Sequence, residues 1–317
     1  MITLEPTLAS LIERFIGYPT SLQNTIRHPV QWIGDLISQA DDKLNTDSED
    51  EVSSKLKGAV SLVAVIAIFA VPAWIIQSQL SHLPFAFLWQ ALIATPFIAQ
   101  KSLRDHVLAV DRGLSSSLAN GRIAVSKIVG RDTSHLDESD ITRATLESLA
   151  ENTADGIVAP LFWFAVLGLP GIVAYKVINT ADSMIGHLTS HHRNFGYAAA
   201  KLDDLVNLPA SRLTGLFFAA AALLKSKSAA QESLTSMWED ASQHRSPNAG
   251  WPEAAMAGAL GLSFGGPRAY QGEWLDLPWM GDGREVLTRA DIAAGLALYD
   301  HALWIMTGAL VLLAVVL

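Results

Sequence analysis

Carboxylates, carboxamides, a hydroxyl and a lysine lie near both ends of one long apolar stretch, residues 157–178. In chain order they are Glu151, Asn152, Asp155, Lys176, Asn179, Asp182, Ser183, Asp203, Asp204 and Asn207. Ionisable groups beside hydrocarbon are costly to hold, so they are functional candidates by default. The elements around this stretch must therefore position a polar site at a membrane.

Glu151 and Asp155 are four residues apart, so a helix would place both carboxylates on one face. Hard oxygen ligands of this kind suit Mg²⁺ together with a phosphate-bearing substrate. The alternative is a helix N-terminus whose acids face water and the helix dipole.

Lys176, Asn179 and either Asp182 or Ser183 follow one another at intervals of three or four residues. This spacing predicts one polar stripe on a helix. Lys176 could bind phosphate as a point charge or extend its amine to the membrane interface.

A second pair, Asp203 and Asn207, would share a helix face. Asp203 or Asp204 could instead cap the apolar helix that follows.

Three arginines, Arg131, Arg193 and Arg212, are candidates for bidentate recognition of phosphate or carboxylate, or are cytoplasmic anchors of the spans.

His187 and His191 could share a helix face beside His192, but the sequence places no cysteine or third histidine to complete a zinc site. A structural role is therefore favoured for these histidines. The chain has no P-loop and no G-x-G-x-x-G motif, so the usual nucleotide fingerprints are missing.

The composition is that of a membrane protein with sizeable polar segments. Half of the 317 residues are apolar, the mean hydropathy is +0.28 and 17% of residues are charged. The net charge of -9 argues against a nucleic-acid-binding protein, and the absence of cysteine excludes disulfides and thiolate chemistry. The first twenty residues show no cleavable signal peptide, so internal spans would direct membrane insertion.

The sequence predicts an all-α polytopic integral membrane protein with about four to five membrane segments, one broken or re-entrant, plus cytoplasmic helical segments. We expect a single membrane domain over residues 1–317. Its parts are an amphipathic region (1–58), a membrane hairpin (59–99), polar helices (100–156), a broken span with the site region (157–224), a polar loop region (225–289) and a C-terminal span (290–317).

The expected spans are residues 59–76, 83–99, the broken 157–178, 209–224 and 292–317. Pro160, Gly168, Pro170 and Gly171 interrupt the third of them, as in helices that line a site. Lysines and arginines flank the first two spans on what would be the cytoplasmic side. If every predicted span crosses the membrane once, the segment 182–204 lies on the side opposite the cytoplasm. If the broken span is re-entrant, the segment lies on the cytoplasmic side.

Several long motifs occur in a fixed order along the chain. They are HPVQWIG (28–34), VGRDT (129–133), ESLAEN (147–152), DGIVAPLFW (155–163), YKVINT (175–180), DSMIG (182–186) and SPNAGWP (246–252). In these motifs the chain resembles the CobD/CbiB family of cobalamin biosynthesis, the adenosylcobinamide-phosphate synthases. It differs from the family pattern at Gly17-Tyr18-Pro19 and at Asn207-Leu208-Pro209-Ala210-Ser211-Arg212.

The resemblance implies a membrane enzyme that joins aminopropanol, or its O-phosphate, in amide linkage to the carboxylate of adenosylcobyric acid, with ATP and Mg²⁺. Glu151, Asp155 and Asp182 would hold Mg²⁺ or take a proton. Phosphate groups would bind Lys176, Arg193 and Arg212. Trp251 would pack on the corrin. Substrate amides would contact Asn152, Asn179, Ser183 and Asn248, and further substrate contacts are expected at Arg131, Asp203, Asp204 and Asn207.

The resemblance also implies a multi-pass protein of the cell inner membrane, with membrane lipid and other membrane enzymes of late cobalamin assembly as further partners. A competing class is a non-catalytic scaffold or transporter for corrinoid intermediates. A transporter should show repeated halves with matching interruptions, and the sequence contains none.

Overall fold

The computed structural model describes residues 4–19, 26–46, 50–270, 273–275 and 277–316. The chain forms two compact units. The first comprises Met1–Ala99, Ala159–Asn207 and Leu310–Leu317, and the second comprises Gln100–Val158 and Leu208–Ala309. The division into one membrane domain with six parts stays a prediction.

Helices make up most of the described chain. They are α1 (Glu5–Phe15), α2 (Pro29–Leu44), α3 (Glu51–Leu80), α4 (Ala86–Ala94), α5 (Gln100–Ser116), α6 (Leu118–Val125), α7 (Glu138–Thr153), α8 (Ala159–Ile185), α9 (Tyr197–Val206), α10 (Leu208–Ala222), α11 (Lys227–Asp240), α12 (Gly250–Leu260) and α13 (Arg289–Val316). A π-helical turn, Ala154–Val158, joins α7 to α8. Short 3₁₀ turns cover Thr95–Phe97 and Ala241–Gln243.

Within the described residues, three helices are long and apolar enough to cross a membrane. They are Glu51–Leu80, the segment Glu138–Ile185 that comprises α7, the π-helical turn and α8, and Arg289–Val316. Tyr197–Val206 and Leu208–Ala222 form a pair bent by 43°, which gives a fourth span if the pair crosses as one. The all-α polytopic membrane fold is confirmed, with three to four candidate spans where the sequence predicted about four to five.

Helix α3 contains the predicted span 59–76. Its N-terminus is capped by Asp50, whose Oδ1 accepts hydrogen bonds from the backbone N–H groups of Val52 and Ser53 at 3.1 and 3.0 Å. Large apolar side chains such as Val63 and Trp74 are more than half exposed along it. An apolar helix of 30 residues with such a surface is suited to lipid rather than to water.

The predicted span 83–99 does not form one membrane-length helix. Helix α4 has only nine residues, or about 14 Å at 1.5 Å per residue, against a hydrocarbon core of about 30 Å. The helix begins after Phe85, whose φ of 58° is left-handed, and it gives way to a 3₁₀ turn that contains Pro96. Apolar composition therefore did not produce a membrane-length helix here, because the backbone leaves the α conformation at both ends.

The predicted break in the third span lies at Gly168. Its φ of 70° and ψ of -154° are non-helical and interrupt α8 two residues before Pro170. The broken turn leaves the N–H of Leu169 without a helical acceptor, and this group donates to Oε1 of Gln77 at 2.6 Å. A side chain of α3 thus stabilises the interruption within the first unit.

In the second unit, the described residues of the polar region 225–289, expected to be a loop region, include regular helices and short strands. They form α11, α12 and two short antiparallel strand pairs. Strand β1 (Phe264–Gly265) pairs with β4 (Trp279–Met280), and β2 (Arg268–Tyr270) pairs with β3 (Glu273–Leu275). Tyr299 on α13 donates its hydroxyl hydrogen to the carbonyl of Gln100 at 2.8 Å, which fixes α13 against the start of α5.

Candidate functional site

Asp203 is the buried centre of a hydrogen-bond network in the first unit. Its Oδ2 accepts from Nδ2 of Asn207 at 2.9 Å, and its Oδ1 lies 3.5 Å from Nδ2 of Asn179. Oδ1 of Asn207 accepts from the hydroxyl of Tyr175 at 2.9 Å, and Nζ of Lys176 donates to Oδ1 of Asn179 at 3.3 Å. This network, the Asp203 cluster, joins four of the predicted site residues on α8 and at the end of α9.

Two further acids lie near the Asp203 cluster. Half-buried Asp182 interacts electrostatically with both Asp203 and Asp204, and Asp204 also pairs with exposed Lys201 at 3.3 Å. Like charges held this close favour the binding of a cation or of a proton. Ser183 is exposed and donates to the carbonyl of Asn179 at 2.8 Å.

The motif 28–34 lies against the same part of the first unit. His28 caps α2: its Nδ1 accepts from the N–H of Val30 at 3.3 Å, and its own N–H donates to Oε1 of Gln31 at 3.2 Å. Burial and then the positive charge of Lys176 lower the pKa of His28 below its ordinary value. A neutral imidazole can accept the capping hydrogen bond, whereas an imidazolium cannot.

Arg193 lies elsewhere in this unit. It is exposed and acts electrostatically on Glu51, at the start of α3. Its predicted contact with substrate phosphate stays a prediction.

A polar cavity of about 260 Å³ lies in the second unit. Its polar side chains carry both signs of charge and come from three of the sequence motifs or their immediate neighbours. They are Arg131, Glu147, Ser148, Glu151, His244 and Glu253. We call this the Arg131 cavity.

Glu147 connects two sides of the Arg131 cavity. Its Oε2 lies 3.7 Å from Nη2 of Arg131, and its Oε1 accepts from the N–H of Gly265 at 2.8 Å. Glu253 is 4% exposed, and its Oε1 lies 4.0 Å from Nε2 of His244. The cavity therefore contains one cation, three carboxylates and one imidazole, which suits a small ligand with charges of both signs.

A tight turn presents Arg131 to the cavity. Asp132 accepts hydrogen bonds from the N–H of Ser134 at 2.9 Å and from its hydroxyl at 3.0 Å, and these bonds lower the pKa of Asp132. Thr133 donates to the carbonyl of Arg122 at 3.2 Å. The VGRDT motif is thus a local structure that orients Arg131.

Glu151 and Asp155 differ in their surroundings, although both were expected on one helix face. Glu151 is exposed on α7 and lines the Arg131 cavity, whereas Asp155 lies in the π-helical turn and is not among the cavity-lining residues. A π turn inserts an extra residue into the helix and shifts the i,i+4 relationship. Asn152 donates to the carbonyl and hydroxyl of Ser148 at 2.9 and 3.1 Å.

Three other predicted residues meet in the second unit, one on α10, one in the turn before α12 and one on α12. Nη1 of Arg212 donates to Oδ1 of Asn248 and to Oγ of Ser211, both at 3.0 Å. The guanidinium lies over the ring of Trp251, 4.3 Å from its centroid. One face of Trp251, expected to pack on the corrin, therefore contacts Arg212.

Sequence reasoning missed Glu147, His244 and Glu253. Glu147 carried a usable signal, because it precedes Glu151 by one helical turn and opens the ESLAEN motif. His244 and Glu253 flank the SPNAGWP motif, but nothing in their spacing points to Arg131. The predicted magnesium ligands divide between the units, with Glu151 and Asp155 in the second and Asp182 in the first, and their joint role stays a prediction.

Comparisons with known proteins bear on these two groups of residues. The sequence profile of the family described as CobD/Cbib protein matches residues 6–299. The chain belongs to the CobD/CbiB family. The resemblance seen in the motifs is therefore confirmed, and the match includes both the Asp203 cluster and the Arg131 cavity.

Individual relatives align with this chain along nearly its whole length. A protein of Sinorhizobium sp named cobalamin biosynthesis protein CobD is 46% identical over 319 residues, covering 99% of each chain. Proteins of the same name from Rhodobacter capsulatus and Brucella suis are 47% identical over 305 residues and 46% identical over 306 residues. They cover 96% and 95% of this chain and 95% and 94% of their own. No solved structure matches the chain.

Proposed function

We propose that this protein is a membrane enzyme of cobalamin biosynthesis that forms an amide between the carboxylate of adenosylcobyric acid and aminopropanol or its O-phosphate. Family membership and the names of the relatives support a role in cobalamin biosynthesis. The reaction itself, its dependence on ATP and Mg²⁺ and a location in the inner membrane are parts of the proposal.

The observation that carries the proposal is the Arg131 cavity. Its charged lining comes from parts of the sequence that are far apart. Two motifs supply Arg131, Glu147 and Glu151, and the residues that flank a third supply His244 and Glu253. A volume of about 260 Å³ is below the roughly 300–1,000 Å³ of pockets that enclose drug-sized ligands. It suits the small amine substrate, or a phosphate group, and not a whole tetrapyrrole.

The charges of the cavity fit aminopropanol O-phosphate. Arg131 would bind the phosphate through its planar guanidinium, and the carboxylates would bind the ammonium group. The amine must lose a proton before it can attack, and a carboxylate or imidazole within hydrogen-bond reach would accept that proton. The His244–Glu253 pair, which lines the same cavity, would take this role.

Mg²⁺ fits the chemistry of the available ligands, since the cavity and the adjoining turn present carboxylate oxygens. Glu151, which lines the cavity, would hold the ion, and Asp155, which lies outside the lining, stays a predicted ligand. When bound, MgATP would supply the phosphoryl group that turns a carboxylate oxygen of the corrinoid into a leaving group. The amine nitrogen would then form the C–N bond as the C–O bond breaks and phosphate leaves.

We propose separately that the Asp203 cluster of the first unit binds the amide groups of a corrinoid. Asn179 and Ser183 near the end of α8 and Asp203 on α9 present donors and acceptors, and Lys176 and Asp182 add charge. The side-chain amides of a corrinoid can form hydrogen bonds with donors and acceptors of these kinds.

The test is turnover by the purified full-length protein in detergent, with adenosylcobyric acid, aminopropanol O-phosphate, ATP and Mg²⁺. Product is measured by chromatography and mass spectrometry. We expect adenosylcobinamide phosphate from the wild type, and a loss of about 100-fold or more in Arg131→Ala and Glu253→Gln.

Matched controls are Arg112→Ala and Glu239→Gln, which alter exposed side chains of the second unit away from the Arg131 cavity. Both should retain wild-type turnover. Tight corrinoid binding without any product would contradict the proposed enzymatic function and favour a non-catalytic scaffold.

A further inference from the structure

Three side chains that can ligate a metal meet in the first unit. Asp41 lies near the end of α2, and His191 and His192 lie between α8 and α9. Oδ2 of Asp41 is 3.0 Å from Nε2 of His192 and 3.8 Å from Nε2 of His191. One ligand atom from each residue lies within 4.8 Å of the others. In the described part of the chain, no other group of three or more His, Asp and Glu side chains is this compact.

The hydrogen bonds around this group orient its ligand atoms. Nδ2 of Asn45 donates to Oδ1 of Asp41 at 2.8 Å, which leaves Oδ2 directed at the imidazoles. The same amide donates to the carbonyl of His191 at 2.9 Å and so holds the histidine segment against α2.

The hydroxyl of Thr189 orients His192 in the same way. Its Oγ1 accepts from the N–H of His192 at 3.2 Å and lies 3.4 Å from Nδ1 of the same ring. An Nδ1–H that donates to this hydroxyl leaves the lone pair on Nε2, the nitrogen that faces Asp41. Metal-ligating histidines are usually oriented by such a second hydrogen bond.

The geometry points to a binding site for a divalent first-row transition metal, with Zn²⁺ the best match, formed by Asp41, His191 and His192. Two imidazoles and one carboxylate suit zinc with a water in the fourth position. Bonds of about 2.0–2.1 Å in a tetrahedron place ligand atoms about 3.3 Å apart, between the two Asp41–histidine distances. Imidazole ligands disfavour Mg²⁺, which separates this site from the magnesium of the proposed reaction.

The exposure of the ligands is compatible with metal entry and exchange. The side chains of Asp41 and His192 are 15% and 19% exposed, whereas His191 is 46% exposed and can rotate toward a bound ion. A metal here would fasten the segment after α8 to α2, and this segment begins directly after the helix end that carries Asp182 and Ser183. The site would thus act as a structural clamp on the segment that follows α8.

The experiment measures zinc binding to the full-length protein, purified with a tag that contains no histidine and stripped with a chelator. Equilibrium dialysis followed by elemental analysis should give one high-affinity Zn²⁺ per chain. Co²⁺ in its place should give the visible absorption of a tetrahedral site. A large excess of Mg²⁺ should displace neither metal.

Asp41→Asn, His191→Ala and His192→Ala should each weaken zinc binding by about 100-fold or more, and Asn45→Ala by about tenfold. Asp41→Asn keeps the shape and a hydrogen-bond acceptor, so it separates ligand loss from unfolding. His187→Ala and Asp42→Asn change exposed neighbours and should bind zinc as the wild type does.

Equal zinc binding by the wild type and by Asp41→Asn would overturn the site and leave Asp41 and His192 as a simple hydrogen-bonded pair. That result would not affect the proposed amide-forming reaction, whose assay does not depend on zinc binding.

Discussion

Arg131 and Glu147 form an ion pair whose side chains are only 15% and 10% exposed, with Nη2 and Oε2 3.7 Å apart. Glu147 also accepts from the N–H of Gly265, 118 residues further along the chain. One carboxylate therefore holds both the cation of the Arg131 cavity and the start of the strand region. Its removal should affect stability as well as activity.

We expect Glu147→Ala to lower the free energy of unfolding by about 3–5 kcal/mol, because it leaves the Arg131 charge largely buried and the Gly265 N–H without its acceptor. Glu147→Gln keeps an oxygen for Gly265 and should cost less. Denaturant titration in mixed micelles measures the difference. Glu239→Ala, on an exposed surface of α11, should stay within about 0.5 kcal/mol of the wild type. An equal loss in both Glu147 variants would show that the Gly265 hydrogen bond contributes nothing.

Gly168→Ala should destabilise the first unit by about 2 kcal/mol or more, since φ near 70° with ψ near -154° is open almost only to glycine. A Cβ there would also lie 2.2 Å from Oε1 of Gln77. Adding Gln77→Ala should remove the clash but not the backbone strain, so the double variant should lose less than the sum of the single ones. Gly308→Ala is the control, because its Cβ would meet nothing within 4 Å. Thermal unfolding in detergent measures all four, and an unaltered Gly168→Ala would show that the break does not need glycine.

Lys176→Met should raise the pKa of His28 toward its ordinary value, because it removes the positive charge that, after burial, lowers that pKa. In the folded wild type His28 binds a proton less readily than in the unfolded chain. Its contribution to stability is therefore present above the unfolded pKa, about 6.5, and is lost as pH falls through the lower folded pKa. NMR titration of ring-labelled histidine measures the shift, with His28→Gln to assign the resonance. An identical titration in both proteins would place Lys176 too far away to matter.

Asp182→Asn should reduce conversion of adenosylcobyric acid by about tenfold or more, because it removes a negative charge from the group of residues proposed to bind the corrinoid. The substitution preserves size and hydrogen-bonding capacity, so the protein should stay folded. Turnover in membranes is the measurement, and Asp42→Asn, exposed on α2, is the matched control. Undiminished turnover would remove Asp182 from the site.

The membrane-length helices could be predicted from sequence because apolar composition over about twenty residues is a local property. Residues 59–76 lie within Glu51–Leu80 and residues 292–316 within Arg289–Val316. The interruption at Gly168 was visible too, since glycine and proline restrict or free the backbone at their own positions. The same reasoning did not predict the structure of residues 83–99, where the chain is apolar but α4 has only nine residues.

The sequence by itself determined the spans, the helix break and the family motifs, all of which depend on neighbouring residues. Only the tertiary structure decided which motifs share a site. Glu147, His244 and Glu253 reach Arg131 through packing of the second unit, and Asp41 meets His192 across 151 residues of chain. Such contacts follow no periodicity along the sequence, because they depend on how whole helices pack against one another.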